Sequence, residues 1–447
     1  MTENTWAEMT PQEKRAYRLN GWLNNWGNKF PDADAEKAYK TRVQRLIDVY
    51  NVREPDRVPV SLPIGDLPLK MAGVTNYDAM YDVDKAFQAY DEFNSKYGKD
   101  LESTTGFFYF LGQVLDILDY KLYAWPGHGI AKDGTSWQFI EGEYMRDDEY
   151  DDLIRDPSDF WIRTYMPRIF GTLEPLKMFQ PFTNITENVH VSQFMPLATP
   201  QMQEMLQKML AAGKEFQKQM QLMAKHGRGG MSLEFMSGGF AKAPFDTLAD
   251  TLRGTRAIMK DLFRRPDKVL KALDVLADVQ ISSILNLPNI DKLTMVMYPL
   301  HKGADGWMSQ KAFETFYWPP MKKVMDAFIK EGLIQSLFAE GGYNTRLEYV
   351  GDFPKGSVTW WFDRTDMFKA KKILGKNFCL QGNVPASMIV TGSPQEVKEY
   401  CRKLIQEVGK GGGFVLAAGS IPEKPKLENL QAMMAAVREY GWYKKPQ

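Results

Sequence analysis

Short apolar runs alternate with amphipathic stretches over the carboxyl-terminal third of the chain. Five of these runs have the length and composition of buried strands, and they lie at residues 293–300, 334–340, 357–363, 378–383 and 414–419. Between them lie stretches such as SPQEVKEYCRKLIQEVG, in which apolar residues recur at helical spacing. A sixth strand is predicted much earlier, in PDRVPVSLPI, after a proline break. Strands that alternate with helices predict an α/β fold with a parallel sheet.

The number and spacing of these units favour a (β/α)₈ barrel of the TIM type over residues 57–447. An open, doubly wound sheet is the alternative, but no Gly-x-Gly-x-x-Gly turn follows any of the predicted strands. Residues 1–56 are predicted to form a helical extension before the barrel. Within it, TPQE at residues 10–13 is a capping box with proline at the first helical position. Apolar residues at helical spacing over residues 39–50 predict a second helix.

Residues 199–228 interrupt the barrel pattern with a helix rich in methionine and glutamine, which predicts a helical insertion. Its apolar stripe consists of Met202, Met205, Met209, Phe216, Met220 and Met223. Such a stripe indicates either a helix that packs on the core through adaptable methionine side chains or an inserted cap that docks a partner. The segment carries no nucleotide-binding or metal-binding motif.

Composition and charge exclude several classes of function. The 56 Lys and Arg residues balance 56 Asp and Glu residues, so the chain has no overall field that attracts nucleic acid or an acidic membrane. No apolar run reaches the roughly 18 residues that a membrane-spanning helix needs. Only 2 cysteines occur, which favours the reducing cytoplasm over a secreted, disulfide-stabilised protein. We therefore expect a cytoplasmic protein that acts on a small molecule and binds neither nucleic acid nor membrane.

Polar residues at the carboxyl ends of the predicted strands are the candidates for chemistry, because the active sites of such barrels lie at that end. Glu340 and Asp363 close neighbouring strands, and two nearby carboxylates shift each other's pKa and can serve as acid and base. His301 closes the strand before them and can act as acid, base or ligand, with a structural role as the alternative. Asp366 either joins these acids or caps the helix that follows it.

Further candidates lie in loops and along the same strands. His128 stands in the glycine-flanked segment WPGHG and is a second candidate for proton transfer. Arg346 follows Glu340 by six residues and either binds an anion or pairs with a carboxylate, of which pairing is favoured. The predicted substrate-binding residues are Arg346, Asn383, Trp361 and Tyr343.

The two cysteines do not indicate a metal site. Neither Cys379 nor Cys401 has a histidine or cysteine at ligand spacing, and Cys401 falls on the apolar face of its helix. We therefore predict that the protein does not hold zinc through cysteine.

Several segments of the chain resemble the uroporphyrinogen decarboxylase superfamily. They are EPDRVPV, APFDTLADTLRG, LHKGADGWMS, LFAEGGYNTRLEYV, LQGNVPASMIV and GGGFVLAAGS, and they spread over residues 57–440. The GNVP stretch, together with the helix that follows it, is the most specific of them. The resemblance implies a (β/α)₈ barrel with an active site in its mouth.

The DRVPV and GNVP segments are similar to those of the corrinoid-linked methyltransferase branch of that superfamily. This resemblance implies transfer of a methyl group from a small methylated substrate, such as an aryl methyl ether, to a corrinoid carried by a partner protein. Glu340, Asp363 and either His301 or His128 would then activate the leaving group. Many members hold zinc through a His-x-Cys pair and a distant cysteine, but here AEG and Ser420 occupy those places. A demethylase without a zinc-activated thiol therefore fits better.

Two other functions remain as alternatives. The first is decarboxylation of a tetrapyrrole or aromatic acid, for which Asp116 stands near the place of the decarboxylases' essential aspartate. The Arg-x-Ala-Gly-Arg segment of those decarboxylases is missing, however, which argues against tetrapyrrole decarboxylation. The second alternative is a barrel that binds a corrinoid or tetrapyrrole without turnover. The resemblance leaves the methyl donor open, and also whether the protein forms a homodimer.

Overall fold

The computed structural model describes residues 3–101, 104–106, 111–135, 137–226 and 238–444. Its strands, in chain order, are β1 (Val60–Gly65), β2 (Thr104–Gly106), β3 (Tyr123–Pro126), β4 (Gly129–Ile130), β5 (Gln138–Phe139), β6 (Gly238–Phe240), β7 (Met295–Leu300), β8 (Ile334–Ala339), β9 (Val358–Phe362), β10 (Cys379–Val384) and β11 (Phe414–Ala418). The α-helices of six residues or more in the same ranges are Glu3–Glu8, Pro11–Leu23, Ala33–Tyr50, Asn76–Tyr81, Val83–Leu101, Gly112–Leu118, Tyr150–Arg155, Pro200–His226, Thr255–Arg264, Pro266–Leu285, Trp318–Lys330, Met367–Ile373, Ala386–Thr391, Pro394–Lys403 and Leu427–Tyr440.

Eight strands form one sheet in the order β2-β1-β11-β10-β9-β8-β7-β6, and every neighbouring pair is parallel. Consecutive strands pair from β6 through β11, and β11 returns to pair with β1. Among the described residues, β2 and β6 do not pair with each other and are the two edge strands of this sheet. This order confirms the predicted parallel strands of the carboxyl-terminal third, and the fold is α/β.

The sheet is curled. The indole Nε1 of Trp361 on β9 donates a 2.7 Å hydrogen bond to the carbonyl of Ala418 on β11, although β10 lies between the two strands. Such a contact between alternate strands is typical of the concave face of a curled sheet, where side chains from every second strand form one layer. All residues of β1, β9, β10 and β11 are buried, as in parallel sheets with helices on their outer face.

The amino-terminal helices Pro11–Leu23 and Ala33–Tyr50 pack against the sheet at the amino ends of its strands. Their apolar side chains form one cluster with four strand residues, which are Met295, Ile334, Cys379 and Val415. The first three of these open their strands, and Val415 is the second residue of β11. The predicted capping box is confirmed, because Thr10 and Glu13 bond to each other's backbone amides. The extension therefore covers the end of the sheet opposite to the carboxyl ends of the strands.

The connection from β2 to β6 contains a three-stranded sheet, in the order β4-β3-β5, and the long helix Pro200–His226. The helix predicted over residues 199–228 is confirmed over Pro200–His226. Residues 227–228 and the side chain of Met223 lie outside the described residues. Met202 and Met205 are buried in a small cluster with Leu173 and Phe179. Of the other predicted stripe residues whose side chains are described, Met209 is 43% and Phe216 is 47% exposed, and Met220 is partly buried. In the described part of the chain, no helix has the length and apolarity that crossing a membrane requires.

Candidate active site

The candidate active site lies at the carboxyl ends of β6, β7 and β8, which are adjacent in the sheet. His301 follows β7 directly, and Glu340 follows β8 directly. Asp246 and Asp250 come from the helical turns that follow β6, Pro244–Asp246 and the π-helix Thr247–Arg253. Because carboxyl ends of parallel strands meet at one edge of a sheet, residues separated by up to 94 positions in sequence converge here.

His301 stands between two carboxylates. Its Nδ1 is 2.6 Å from Oδ2 of Asp250, and its Nε2 is 3.7 Å from Oε1 of Glu340. Its backbone N–H donates a 2.9 Å hydrogen bond to Asp246. Asp250 and Asp246 therefore fix the orientation of His301, and its Nε2 faces the half-exposed Glu340.

Asp250 also contacts two lysines. The ammonium group of Lys242 lies 3.2 Å from one carboxylate oxygen, and that of Lys302 lies 3.3 Å from the other. Burial by itself raises the pKa of Asp250, but the hydrogen bond from His301 and the two ammonium groups outweigh it and lower the pKa to about 2. Asp250 is thus a permanent anion that holds His301 in one orientation.

The pKa values of Glu340 and His301 both shift upward. The loss of hydration is the largest cause for Glu340, and the nearby acids Asp246, Asp363 and Asp250 add to it, against the opposing charge of His301. For His301, burial lowers the pKa, but the hydrogen bond to Asp250 and the charges of Asp246 and Glu340 raise it by more. A carboxyl group with a raised pKa retains its proton at higher pH and can act as a general acid.

Asp246 supports the site through hydrogen bonds in the interior of the protein. It is fully buried, and burial together with the charge of Asp250 raises its pKa. It accepts hydrogen bonds from the backbone of His301 and Lys302 and from the hydroxyl of Tyr317, each at 2.9 Å. Tyr343, predicted to bind substrate, is only 1% exposed and points its hydroxyl toward the carbonyl of Leu300, 3.4 Å away. Its contacts place it in this supporting layer.

Asp363 holds the turn that carries Glu340. Its Oδ2 accepts a 3.1 Å hydrogen bond from the N–H of Gly341, and Arg364 lies 3.6 Å from the same oxygen. Gly341 has φ +79°, a backbone conformation that side chains disfavour, which lets the chain turn away immediately after Glu340. Asp363 is thus close to the proposed acid but acts on it through the backbone.

A recess of about 630 Å³ extends beyond the carboxyl ends of β9, β10 and β11, and Asp363, Asn383 and Ser420 are among its lining residues. Asn383, predicted to bind substrate, donates to the carbonyls of Asp363 and Thr365 at 3.2 and 2.8 Å. Its amide nitrogen is therefore used to tie two loops together. The predicted Trp361 lies against Phe338, with ring centroids 4.3 Å apart, inside the curl of the sheet.

Arg346 occupies a structural position. Its side chain is 1% exposed, and its guanidinium donates to the carbonyls of Gly303 and Met308 and to the side chain of Gln310. The carboxylate of Asp305 lies 3.8 Å away. Because these contacts occupy the guanidinium inside the protein, we do not include Arg346 among the substrate-binding residues, in contrast to the prediction from sequence.

His128 and Asp116 form a separate cluster on the connection between β2 and β6. Nδ1 of His128 is 3.5 Å from Asp116, and its ring stacks on Trp125 with centroids 4.1 Å apart. Asp116 accepts a 2.7 Å hydrogen bond from the hydroxyl of Tyr81. Among the described residues, no hydrogen bond or ion pair joins this cluster to His301 or Glu340. The structure thus divides the predicted catalytic residues into two groups.

Asp366 caps the helix Met367–Ile373, because its side chain accepts from the N–H groups of Phe368 and Lys369. The capping alternative is thereby confirmed. We predict that Asp366→Ala lowers the free energy of unfolding by about 1 kcal/mol and leaves turnover unchanged. Chemical denaturation measures the first effect, with Asp366→Ser as a control that retains a cap. A loss of turnover in Asp366→Ala without a loss of stability would contradict this assignment.

Sequence reasoning missed four residues of the site, which are Lys242, Asp246, Asp250 and Lys302. The two aspartates lie four positions apart in APFDTLADTLRG, a spacing that places both on one face of a helix. The sequence did not indicate that these aspartates follow a strand, because the strand before them, Gly238–Phe240, is short and rich in glycine and contains no apolar run. Lys302 directly follows His301, but no local pattern indicates that its ammonium group turns toward Asp250.

The cysteines lie away from this site. Cys379 is the first residue of β10, at the end of the sheet covered by the amino-terminal helices, and Cys401 lies in the helix Pro394–Lys403. Neither cysteine forms a disulfide bond, and both are buried, which confirms the predicted core position of Cys401. Burial raises the pKa of the Cys401 thiol. Within the described ranges, no group of three or more His, Cys, Asp or Glu side chains has the arrangement of a metal site. The absence of cysteine-bound zinc stays a prediction.

A curled parallel α/β sheet with acids and a histidine at the carboxyl ends of its strands defines an enzyme-type site. The sequence profile of the family Uroporphyrinogen decarboxylase (URO-D) matches residues 196–440. This match covers more than half of the chain, and the chain belongs to that family. It includes the segments of Asp246, Asp250, His301 and Glu340, so the site lies within the shared region.

The chain is similar to several uroporphyrinogen decarboxylases. It is 28% identical over 211 residues to that of Helicobacter pylori (strain J99), a match that covers 44% of this chain and 58% of the relative. It is 26% identical over 211 residues to that of Trichodesmium erythraeum, covering 45% and 57%. The match thus spans less than two thirds of these relatives. A solved methyltransferase from Methanosarcina mazei shares the fold, with a TM-score of 0.55, 15% identity, and coverage of 90% of this chain and 98% of that chain.

Proposed function

We propose that this protein is a methyltransferase that moves a methyl group from a small methylated substrate, such as an aryl methyl ether, to a corrinoid carried by a partner protein. We further propose that its curled sheet is a (β/α)₈ barrel. The functional proposal rests on Glu340, which is half-exposed, has a raised pKa and lies 3.7 Å from His301 at the carboxyl ends of the strands. The methyltransferase fold neighbour supports it.

The chemistry follows from the needs of the leaving group. The oxygen of a methyl ether leaves poorly unless it receives a proton while the carbon–oxygen bond breaks. In the proposed step, Glu340 donates its proton to that oxygen as the carbon–oxygen bond breaks, and the alcohol leaves. The reduced corrinoid of the partner protein would supply the electron pair and accept the methyl group. His301, held by Asp250, then returns a proton to Glu340 from solvent. Asp363 keeps Glu340 in place through the N–H of Gly341.

Decarboxylation of an aromatic acid or a tetrapyrrole is the second candidate. The curated relatives favour it, and Asp116 with His128 offers a half-exposed acid and base in the connection between β2 and β6. A third candidate is a barrel that binds a corrinoid or tetrapyrrole without turnover. The three candidates differ in whether the protein consumes a methyl ether, a carboxylate or neither.

A spectroscopic assay separates them. The purified protein is mixed with chemically reduced cobalamin and 2-methoxyphenol, and the absorbance of methylcobalamin is followed under anaerobic conditions. Methyl transfer predicts methylcobalamin and an equal amount of catechol, both dependent on the protein. Uroporphyrinogen and 2-methoxybenzoate are tested in parallel for release of carbon dioxide. Carbon dioxide without methylcobalamin would support the decarboxylase instead, and bound cobalamin without either product would support the non-catalytic barrel.

A further inference from the structure

A histidine at the carboxyl end of the inserted helix, Pro200–His226, is held between two acids of another helix. His226 is the last residue of the inserted helix, and its Nε2 lies 2.8 Å from Oδ1 of Asp84. Its Nδ1 lies 2.7 Å from Oδ2 of Asp91. The side chain of His226 is 9% exposed, although it stands at a helix end. We call His226, Asp84 and Asp91 the histidine clamp.

The helix Val83–Leu101 carries both acids of the clamp. Asp84, Phe87 and Asp91 are spaced three and four positions apart, so they share one side of this helix. The ring of His226 lies parallel to that of Phe87, with planes 3° apart and centroids 5.7 Å apart. This contact covers one face of the imidazole and leaves its two nitrogens to the carboxylates.

The geometry of the clamp requires a positively charged histidine. An ionised carboxylate only accepts hydrogen bonds, so each ring nitrogen that bonds to one must carry a proton, and an imidazole with two N–H groups is a cation. The hydrogen bonds to Asp91 and Asp84 raise the pKa of His226, against the opposing effects of lost hydration and of Lys225. The helix ends favour the same charges, because the carboxyl end of a helix stabilises a cation and the first turn stabilises an anion such as Asp84.

Asp84 has partners for both of its carboxylate oxygens. Lys225 lies 3.5 Å from the oxygen that His226 contacts, and Gln88 donates a 2.6 Å hydrogen bond to the other oxygen. The pKa of Asp84 is lowered, first by the hydrogen bond from His226. Lys225 competes with His226 for the same oxygen, but its side chain is 66% exposed, so solvent weakens its effect.

Other titratable groups around the inserted helix have partners outside the clamp. The inserted helix also packs against the helix Gly112–Leu118 and the 3₁₀-helices Gly171–Met178 and Asn188–Ala198. The titratable side chains of these three elements make the following contacts: Asp116 with Tyr81 and His128, Glu174 with Lys177, and His190 with the backbone N–H of Glu187. In the part of the chain that the structure describes, the charge of the clamp thus depends on its own three residues and Lys225.

We propose that the histidine clamp is a pH-sensitive latch, which holds the carboxyl end of the inserted helix on the helix Val83–Leu101 only while His226 is protonated. A neutral imidazole has a single N–H, so one of the two aspartates would then face a ring lone pair and lose its hydrogen bond. The latch is closed below the raised pKa of His226 and opens as the pH rises through it. This inference is independent of the proposed function, since the clamp lies outside the site of His301 and Glu340.

The first measurement is the titration of His226 in the full-length protein. The chain contains 4 histidines, and nuclear magnetic resonance of the protein with isotopically labelled histidine resolves their rings. The signal of His226 is assigned by its loss in His226→Gln. Its titration midpoint is expected to lie above the value of about 6.5 of an unconstrained histidine. A midpoint at or below that value would overturn the proposal.

The second measurement is hydrogen exchange of the backbone amides of residues 220–226, which reports whether the helix end is docked. Wild type and His226→Gln are compared at the same pH, so that the intrinsic pH dependence of exchange cancels. Wild type is expected to be better protected at about pH 6 and to lose this advantage toward about pH 9, by about tenfold for each pH unit between the midpoint of His226 and that of an unconstrained histidine. An advantage that does not change with pH would contradict the latch.

Asp91→Asn separates the latch from a contact that is merely structural. The new amide can donate to Nδ1 of a neutral imidazole, so this variant is expected to keep residues 220–226 protected at about pH 9 and to lose the pH dependence. His190→Gln is the matched control and should behave as wild type, because His190 lies outside the clamp. Exchange of the strand amides verifies that each variant is folded, and wild type against Asp91→Asn remains the test if His226→Gln does not fold. Loss of protection in Asp91→Asn in parallel with wild type would rule the latch out.

Discussion

Glu340→Gln is expected to lower turnover by about 10²- to 10⁴-fold, because the variant removes the proton donor for the leaving group while keeping the size of the side chain. Glu340 has few contacts that stabilise the fold, since its side chain is 44% exposed and its nearest charged partner is 3.7 Å away. The free energy of unfolding should therefore change little. Initial rates of methylcobalamin formation and the denaturation midpoint provide the two measurements.

The pH dependence of turnover provides the internal check. The pKa of Glu340 is raised by loss of hydration and by neighbouring acids, so its protonated form persists to higher pH than that of an ordinary glutamate. Turnover should fall as the pH rises through this raised pKa, and Glu340→Gln should lose that alkaline fall. Asp363→Asn is the matched comparison, because it removes a neighbouring negative charge but keeps Glu340 and an oxygen that can accept from the N–H of Gly341. This variant should retain the alkaline fall. Full activity in Glu340→Gln would remove this residue from the mechanism.

Asp261→Asn is expected to destabilise the protein by about 3 to 5 kcal/mol, the usual cost of breaking a buried ion pair from one side. Asp261 is 1% exposed, and its Oδ2 accepts from Nε of Arg253 at 2.7 Å and from the hydroxyl of Tyr150 at 2.9 Å. The variant leaves the guanidinium of Arg253, which is 2% exposed, with the exposed Glu143, 3.4 Å away, as its remaining charge partner. Denaturant unfolding is the measurement, with a lower midpoint and an unchanged slope as the expected result.

The chain offers a matched control for this effect. Asp147 pairs with Arg265 at 2.6 Å, but its side chain is 54% exposed. Asp147→Asn should therefore cost no more than about 1 kcal/mol. Equal destabilisation by Asp147→Asn and Asp261→Asn would show that burial does not set the strength of the Asp261 pair. Because Arg253 ends the π-helix that carries Asp250, Asp261→Asn should also reduce turnover by loosening the support of His301.

Much of the fold could be predicted from local pattern. Buried parallel strands are continuous apolar runs, and this is why the strands from β7 to β11 are predicted from the sequence to within two residues. The predicted segment PDRVPVSLPI contains all of β1 except its last residue, but it begins five residues before that strand. The strands β2 and β6 escaped because they are only three residues long and consist of threonine, glycine and a single phenylalanine. Without β6, the two aspartates that follow it could not be assigned to a strand end.

The candidate site shows the same division. His301 and Glu340 were predicted because each directly follows a long apolar strand, and the parallel order of β7 and β8 brings them together. Asp250, Lys242 and Lys302 belong to the site only because side chains from different loops turn toward one another, a property that no local pattern encodes. Arg346 and Asn383 also close strands or loops, but their hydrogen bonds point into the protein.

By itself, the sequence determined the class of fold and which residues end its strands, because the alternation of apolar and polar positions is set by the repeat of the local backbone and by burial. Only the tertiary structure decided which strand ends meet, that Asp250 holds His301, and that Met202 and Met205 of the methionine stripe are buried while Met209 and Phe216 are exposed. Those features depend on contacts between residues far apart in the chain, such as Asp250 with His301, whose energies come from charge and shape rather than from local spacing.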